Sequence, residues 1–134
     1  MSIVSMSVFL RRVLLADALV SGAAGALMLF GAALLAPLLN LPMALLVPAG
    51  AVLALYAGAL VWLARKPALP RGAVWALIAI NVLWAIDCLW VSLGGVFSPT
   101  QLGHAFIGMQ IVAVLFFADL QYMALRRRPS TQRA

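Results

Sequence analysis

The sequence predicts an all-α polytopic membrane protein, a four-transmembrane-helix antiparallel bundle with short loops. Of its 134 residues, 66% are hydrophobic and 9% are charged, against about 45–50% and about 25% in typical soluble domains. The apolar residues form four segments, each long enough to cross a bilayer core, which needs about 20 residues. The charges are also sorted by sign, because the three acidic residues interrupt apolar segments whereas the nine basic residues lie at segment ends. A soluble surface mixes both signs, so this sorting indicates a membrane protein.

The first predicted span covers residues 13–36 and follows Arg11 and Arg12. Its apolar run is longer than the about 7–15 residues of a signal-peptide core, and it contains Asp17. We therefore expect a spanning helix that is retained.

Three further spans are predicted over residues 43–64, 72–93 and 101–125. Proline and glycine mark the breaks between them, and connections this short make neighbouring helices antiparallel. Pro48 either kinks the second span or marks its effective start. Ser98 begins a Ser-Pro-Thr-Gln sequence that reads as a capping box for the fourth span.

The basic residues predict the orientation. All nine lie in the N-terminal arm, the middle loop and the C-terminal tail. With four crossings these regions share one side, and the positive-inside rule places that side in the cytoplasm. We expect one membrane domain over residues 1–134, in a bacterial-type inner (plasma) membrane with both termini cytoplasmic. The polar tail over residues 126–134 is expected to fray and to touch anionic lipid.

Small residues recur every fourth position on two predicted helices. In lipid, close van der Waals approach at such positions is a main source of helix association. Packing within one bundle and homodimerisation are both open alternatives. The positions are Ala18, Gly22 and Ala26 with Ser21 and Gly25 on the first helix, and Gly50, Ala54 and Gly58 on the second.

Polar side chains inside the predicted spans are the candidates for a functional site. A central Asp costs about 2.5–3.5 kcal/mol on the insertion scale, so an intramembrane carboxylate indicates a purpose. Depth counted at about 1.5 Å per residue predicts three tiers, which are Asp17 with Asp119, Asn81 with Gln110, and Asp87 with His104. The candidates for proton or ligand coupling are these groups and two aromatic residues: Asp17, Asp87, Asp119, His104, Asn81, Gln110, Tyr122 and Trp84.

Each of these residues also has a purely structural interpretation. Asp17 and Asp119 would reach the flanking arginines and tie helix ends together. Asp87 would hydrogen-bond to a neighbouring helix, with His104 as the partner. The functional alternative is a group that carries a proton or binds a cation.

Several classes of site are missing from the sequence. It has no cysteine cluster, no histidine pair for haem, no phosphate loop and no nucleophile motif. We therefore expect no enzymatic activity, no metal and no cofactor. The cations are spread over three segments without interleaved aromatic residues, which argues against nucleic-acid binding.

Three stretches carry a resemblance: residues 16–23 (ADALVSGA), 81–88 (NVLWAIDC) and 117–122 (FADLQY). They resemble a widespread set of small bacterial four-helix integral membrane proteins without an established function. The resemblance covers nearly the whole chain and implies no activity. Small multidrug exporters share the size, the four spans and a carboxylate in the first helix, but their carboxylate is a glutamate that lies deeper.

These patterns favour a small inner-membrane transporter- or channel-like protein that uses membrane-embedded carboxylates for proton or cation coupling. The alternative is a non-catalytic accessory or scaffold subunit of a larger membrane complex. A third hypothesis is a pocket for a lipophilic ligand, lined by Trp84, Phe106 and Tyr122. The expected partners are the lipid bilayer and either further copies of the chain, forming a homo-oligomer, or a larger membrane complex.

Overall fold

The structure is a computed structural model, and it describes residues 3–126. Four of its helices are long and apolar enough to cross a membrane by length and composition. The predicted all-helical class with four candidate spans is therefore confirmed. The elements are β1 (Ile3–Ser5), α1 (Val8–Phe30), α2 (Ala32–Leu39), α3 (Met43–Ala64), β2 (Ala68–Pro70), α4 (Arg71–Leu93) and α5 (Gln101–Arg126), with α1, α3, α4 and α5 as the candidate spans.

The first apolar segment differs from the single helix predicted over residues 13–36. It starts earlier because the side chain of Ser7 accepts a hydrogen bond from the Leu10 backbone N–H at 3.0 Å and caps α1. The helix breaks at Gly31, a residue type with poor helix propensity. α2 then ends at Asn40, whose φ of 54° lies in the left-handed region.

The other three helices begin within one residue of the predicted positions. α3 starts at Met43 and continues through Pro48, so this proline does not mark the start of the helix. The cap of α5 is Thr100 rather than Ser98, because the Thr100 hydroxyl accepts a hydrogen bond from the Gly103 backbone N–H at 3.1 Å. The Ser98 carbonyl instead accepts a hydrogen bond from the Asn40 side chain at 2.6 Å.

A short antiparallel pair of strands, which the sequence patterns did not predict, joins the N-terminal arm to the middle loop. Its central pair is Val4 with Leu69, and both side chains are buried. They cover the end of the core formed by Leu10, Leu60 and neighbouring residues. We call this end of the molecule the cationic end, because it carries all the basic residues that the structure describes: Arg11, Arg12, Arg65, Lys66, Arg71 and Arg126.

Helix α1 packs along α3, α4 packs along α5, and the two pairs meet through α1 and α5. The closest approach of α1 to α3 is at Gly25 and Gly50. A Cβ atom on Gly25 would lie 2.8 Å from the Gly50 carbonyl oxygen, so any side chain there would force the helices apart. At Gly58 an added Cβ would meet no atom within 4 Å. The small residues thus serve packing within the chain at Gly25 and Gly50, but Gly58 takes no part in that contact.

Candidate functional site

A carboxylate is buried among the candidate spans, held by side chains from four helices. Asp17 on α1 is only 1% exposed. Its Oδ1 accepts a hydrogen bond from the Ser21 hydroxyl at 3.1 Å. Its Oδ2 accepts from the Tyr56 hydroxyl of α3 at 3.1 Å, from Gln121 Nε2 of α5 at 3.0 Å and, at a longer 3.5 Å, from Asn81 Nδ2 of α4. We call these five residues the Asp17 network.

The network is closed on itself. Asn81 Nδ2 also donates to Gln121 Oε1 at 3.2 Å, which links α4 directly to α5. Across residues 3–126, every buried side-chain nitrogen or oxygen has a hydrogen-bond partner. A buried polar cluster stabilises a structure only when its members are satisfied, so this network can set the relative rotation of the four long helices.

None of the basic side chains within residues 3–126 takes part in the network. Arg11 donates from Nε to the Ala64 carbonyl oxygen at 2.9 Å, and Arg71 donates to the Leu125 carbonyl oxygen at 3.2 Å. These arginines satisfy the C-terminal carbonyl groups of α3 and α5, where the helix dipole favours a cation. The interpretation of Asp17 as a tie to Arg11 is therefore wrong, because neutral donors hold the carboxylate.

A cavity of about 260 Å³ lies toward the end remote from the cations, among the start of α3, the end of α4 and the start of α5. Most of its surface is apolar. Trp84 donates from Nε1 to Gln110 Oε1 at 2.9 Å across this cavity wall, and Gln110 Nε2 is 3.9 Å from the Met28 sulfur. The lining residues are Met28, Leu41, Leu45, Leu46, Ala49, Trp84, Asp87, Cys88, Trp90, Val91, Phe106, Ile107 and Gln110.

Asp87 brings a carboxylate to this wall. It is exposed, and it makes no hydrogen bond to another described residue. The predicted pairing with His104 is absent from the structure, since the His104 Nδ1 lies 2.6 Å from the Ser92 hydroxyl instead. A carboxylate among apolar groups is costly unless a partner satisfies it, and no residue among 3–126 is hydrogen-bonded to Asp87.

The structure brings together only part of the predicted site. Asn81 bonds to Gln121 rather than to Gln110, and Asp119 is exposed instead of facing Asp17. Residues 119 and 121 are about 200° apart around a helix, so only one of the two can face inward.

Tyr122 lies on the exposed side of α5. Its ring contacts Trp75 with centroids 5.9 Å apart, and Arg126 lies 5.8 Å from the same ring. Trp84 and Phe106 line the cavity as the lipophilic-pocket hypothesis expected, but Tyr122 does not.

Ser21, Tyr56 and Gln121 are not among the eight residues predicted as candidates for proton or ligand coupling. One signal was available, because Asp17 and Ser21 are four residues apart and so share a helix face. Tyr56 and Gln121 could be found only by placing α3 and α5 around α1.

No protein-family model, curated protein or solved structure matches this chain. A functional assignment therefore rests on the two places where the structure puts polar groups among apolar helices, the Asp17 network and the wall of the cavity.

Proposed function

We propose that this chain is a small inner-membrane transporter- or channel-like protein in which membrane-embedded carboxylates couple to a proton or a cation. The observation that carries the proposal is Asp87, a carboxylate on the wall of an apolar cavity that makes no hydrogen bond to any residue the structure describes. It lies about 9 Å from the end of α4, at about 1.5 Å per residue, well inside the candidate span. A group placed there at such cost is a functional candidate by default.

The proposed arrangement is an antiparallel four-helix bundle across the bilayer, with the cationic end in the cytoplasm. The positive-inside rule supports this orientation, because all the basic residues that the structure describes lie at the cationic end. Under this orientation, the cavity opens in the outer half of the membrane and the Asp17 network lies in the inner half.

The proposal favours a carrier over a permanently open pore. Along the helices, Leu53 and Val114 lie between the Asp17 network and the cavity, and both are buried. From Asp17 to Met28 the separation along α1 is about 16 Å. The polar groups therefore form two sites rather than one continuous path, and a solute would cross only if the apolar layer between them opened.

Proton flux in proteoliposomes tests this function. Vesicles that contain the protein and the pH dye pyranine are exposed to a panel of small inorganic and organic monovalent cations. We expect at least one cation to change the internal pH, Asp87→Asn to abolish that change, and Asp119→Asn to retain it, because Asp119 lies outside the cavity. Unchanged flux in Asp87→Asn, or no flux with any cation in the wild type, would contradict the proposal.

The second candidate function is a non-catalytic accessory or scaffold subunit. Gly58 favours it, since a Cβ added there would meet no atom of another described element within 4 Å and a partner helix could approach. Native mass spectrometry of gently solubilised membranes separates the two. A homo-oligomer alone favours a self-contained transporter, whereas a reproducible heteromeric partner favours the accessory subunit.

A further inference from the structure

We infer that the cavity is a binding site for a lipophilic monovalent organic cation, an aromatic ring that carries one substituted ammonium group. This inference rests on the proposed function and names its substrate class. It follows from the size of the cavity, the chemistry of its wall and the distribution of charge in this half of the molecule.

The size of the cavity sets the scale of the ligand. Its volume of about 260 Å³ exceeds the about 150 Å³ of an engineered apolar cavity that binds benzene. One aromatic ring with a compact substituent therefore fits within the cavity.

The chemistry of the wall favours a cation with little need for hydrogen bonds. Trp84, Trp90 and Phe106 present aromatic rings to the cavity, and aromatic faces attract ammonium groups most strongly when water is excluded. The best donor and acceptor on the wall, Trp84 Nε1 and Gln110 Oε1, already satisfy each other. A hydrophilic ligand would therefore find few hydrogen-bond partners on this wall, whereas a substituted ammonium group requires few hydrogen bonds.

The charge distribution favours a single positive charge. Within residues 3–126, Asp17 and Asp119 lie in the half nearer the cationic end, so Asp87 is the only carboxylate in the half that contains the cavity. The arginines and lysine lie at the opposite end of the helices. A monocation in the cavity would neutralise Asp87, whereas a divalent ion would lack the several oxygen ligands that it requires.

Equilibrium binding tests the inference without requiring transport. Radiolabelled benzyltrimethylammonium is titrated against the purified full-length chain in lipid nanodiscs, with neopentylbenzene, its neutral carbon analogue, as a competitor. We expect saturable binding that Asp87→Asn weakens by at least about tenfold, or about 1.4 kcal/mol, because the variant removes the negative charge that faces the bound ammonium group. Asp119→Asn is the matched control and should bind as the wild type does.

A second variant tests the same cavity without changing Asp87, so the inference can be tested even if Asp87→Asn does not fold. Ala49 lines the cavity and is only partly exposed, so Ala49→Phe should fill the space and abolish binding while Asp87 stays intact. No saturable binding in the wild type would overturn the inference, as would equal binding by Asp87→Asn. Equally strong competition by neopentylbenzene would also overturn it and would identify an apolar cavity suited to lipid chains.

The binding and flux experiments fail in different ways. If benzyltrimethylammonium does not bind but another cation drives Asp87-dependent flux, the inferred ligand class is wrong and the proposed function stands. If benzyltrimethylammonium binds through Asp87 but no cation produces flux, the site is supported and the transport function is wrong.

Discussion

Removing the carboxylate of Asp17 should destabilise the packing of all four long helices. Asp17→Ala deletes the acceptor for three hydrogen bonds that cross between helices, those from Tyr56, Asn81 and Gln121. Asn81 keeps a second acceptor in Gln121 Oε1, whereas Tyr56 and the Gln121 amide group keep none within the network. The two interhelical donors left without a partner, Tyr56 and Gln121, decide the sign of the effect.

The magnitude follows from the number of interhelical bonds. Hydrogen bonds between membrane helices contribute about 0.6 kcal/mol on average and about 1.7 kcal/mol at most. Three such bonds therefore predict a loss of about 2 kcal/mol in the free energy of unfolding, with an upper limit of about 5 kcal/mol. Removing a buried charge also relieves its desolvation cost. Each interhelical donor left without an acceptor destabilises the fold by about 1–3 kcal/mol, which offsets that gain.

Reversible unfolding in mixed detergent and SDS micelles measures the effect. Asp119→Ala is the matched control, because that carboxylate is exposed and should change stability by less than about 0.5 kcal/mol. A double-mutant cycle between Asp17→Ala and Gln121→Ala should give a coupling energy of about 0.5–2 kcal/mol. If Asp17→Ala is as stable as the wild type, or more stable, the network does not hold the helices together and the reasoning fails.

Two further predictions test the packing and the orientation. Gly25→Leu should lower the free energy of unfolding by about 1–3 kcal/mol or more, because an added Cβ would lie 2.8 Å from a backbone oxygen of α3. The control Gly58→Leu, at an open position, should have the melting temperature of the wild type within error. Equal melting temperatures for the two variants would contradict the contact between Gly25 and Gly50. In a cysteine-free background, a membrane-impermeant maleimide should label Gly95→Cys in intact spheroplasts but label Lys66→Cys only after permeabilisation. The reason is that the two loops lie at opposite ends of the candidate spans. Labelling of both positions from outside would refute the orientation.

Helix positions were largely predictable because apolar length and turn residues are local properties. The predicted starts at residues 43 and 101 match α3 and α5, and the start predicted at residue 72 is one residue late. The first segment was misjudged because its limits depend on two local details, the Ser7 cap and the break at Gly31. Gly31 lies within an uninterrupted apolar run, so the sequence pattern did not indicate a break there. Arg11 and Arg12 led to a predicted helix start later than the start at Val8.

The site was only partly predictable because depth in a membrane can be counted along the chain whereas rotation cannot. Asp17, Asn81, Trp84 and Gln110 do make interhelical side-chain contacts, although Asn81 and Gln110, which were predicted at the same depth, bond to different partners. On α5 the inward position belongs to Gln121 and not to Asp119. Which face of a helix turns inward depends on its neighbours, and no single segment carries that information.

By itself, the sequence determined the class of the protein, the number of candidate spans and the placement of its basic residues at one end. These properties follow from composition and from the order of residues along each segment. Only the tertiary structure decided that Asp17 is enclosed by neutral donors, whereas Asp87 lies beside a cavity without a hydrogen-bond partner among the described residues. The physical reason is that three of the four donors to Asp17, and most of the residues that line the cavity beside Asp87, lie on other helices, and only packing determines which side chains meet.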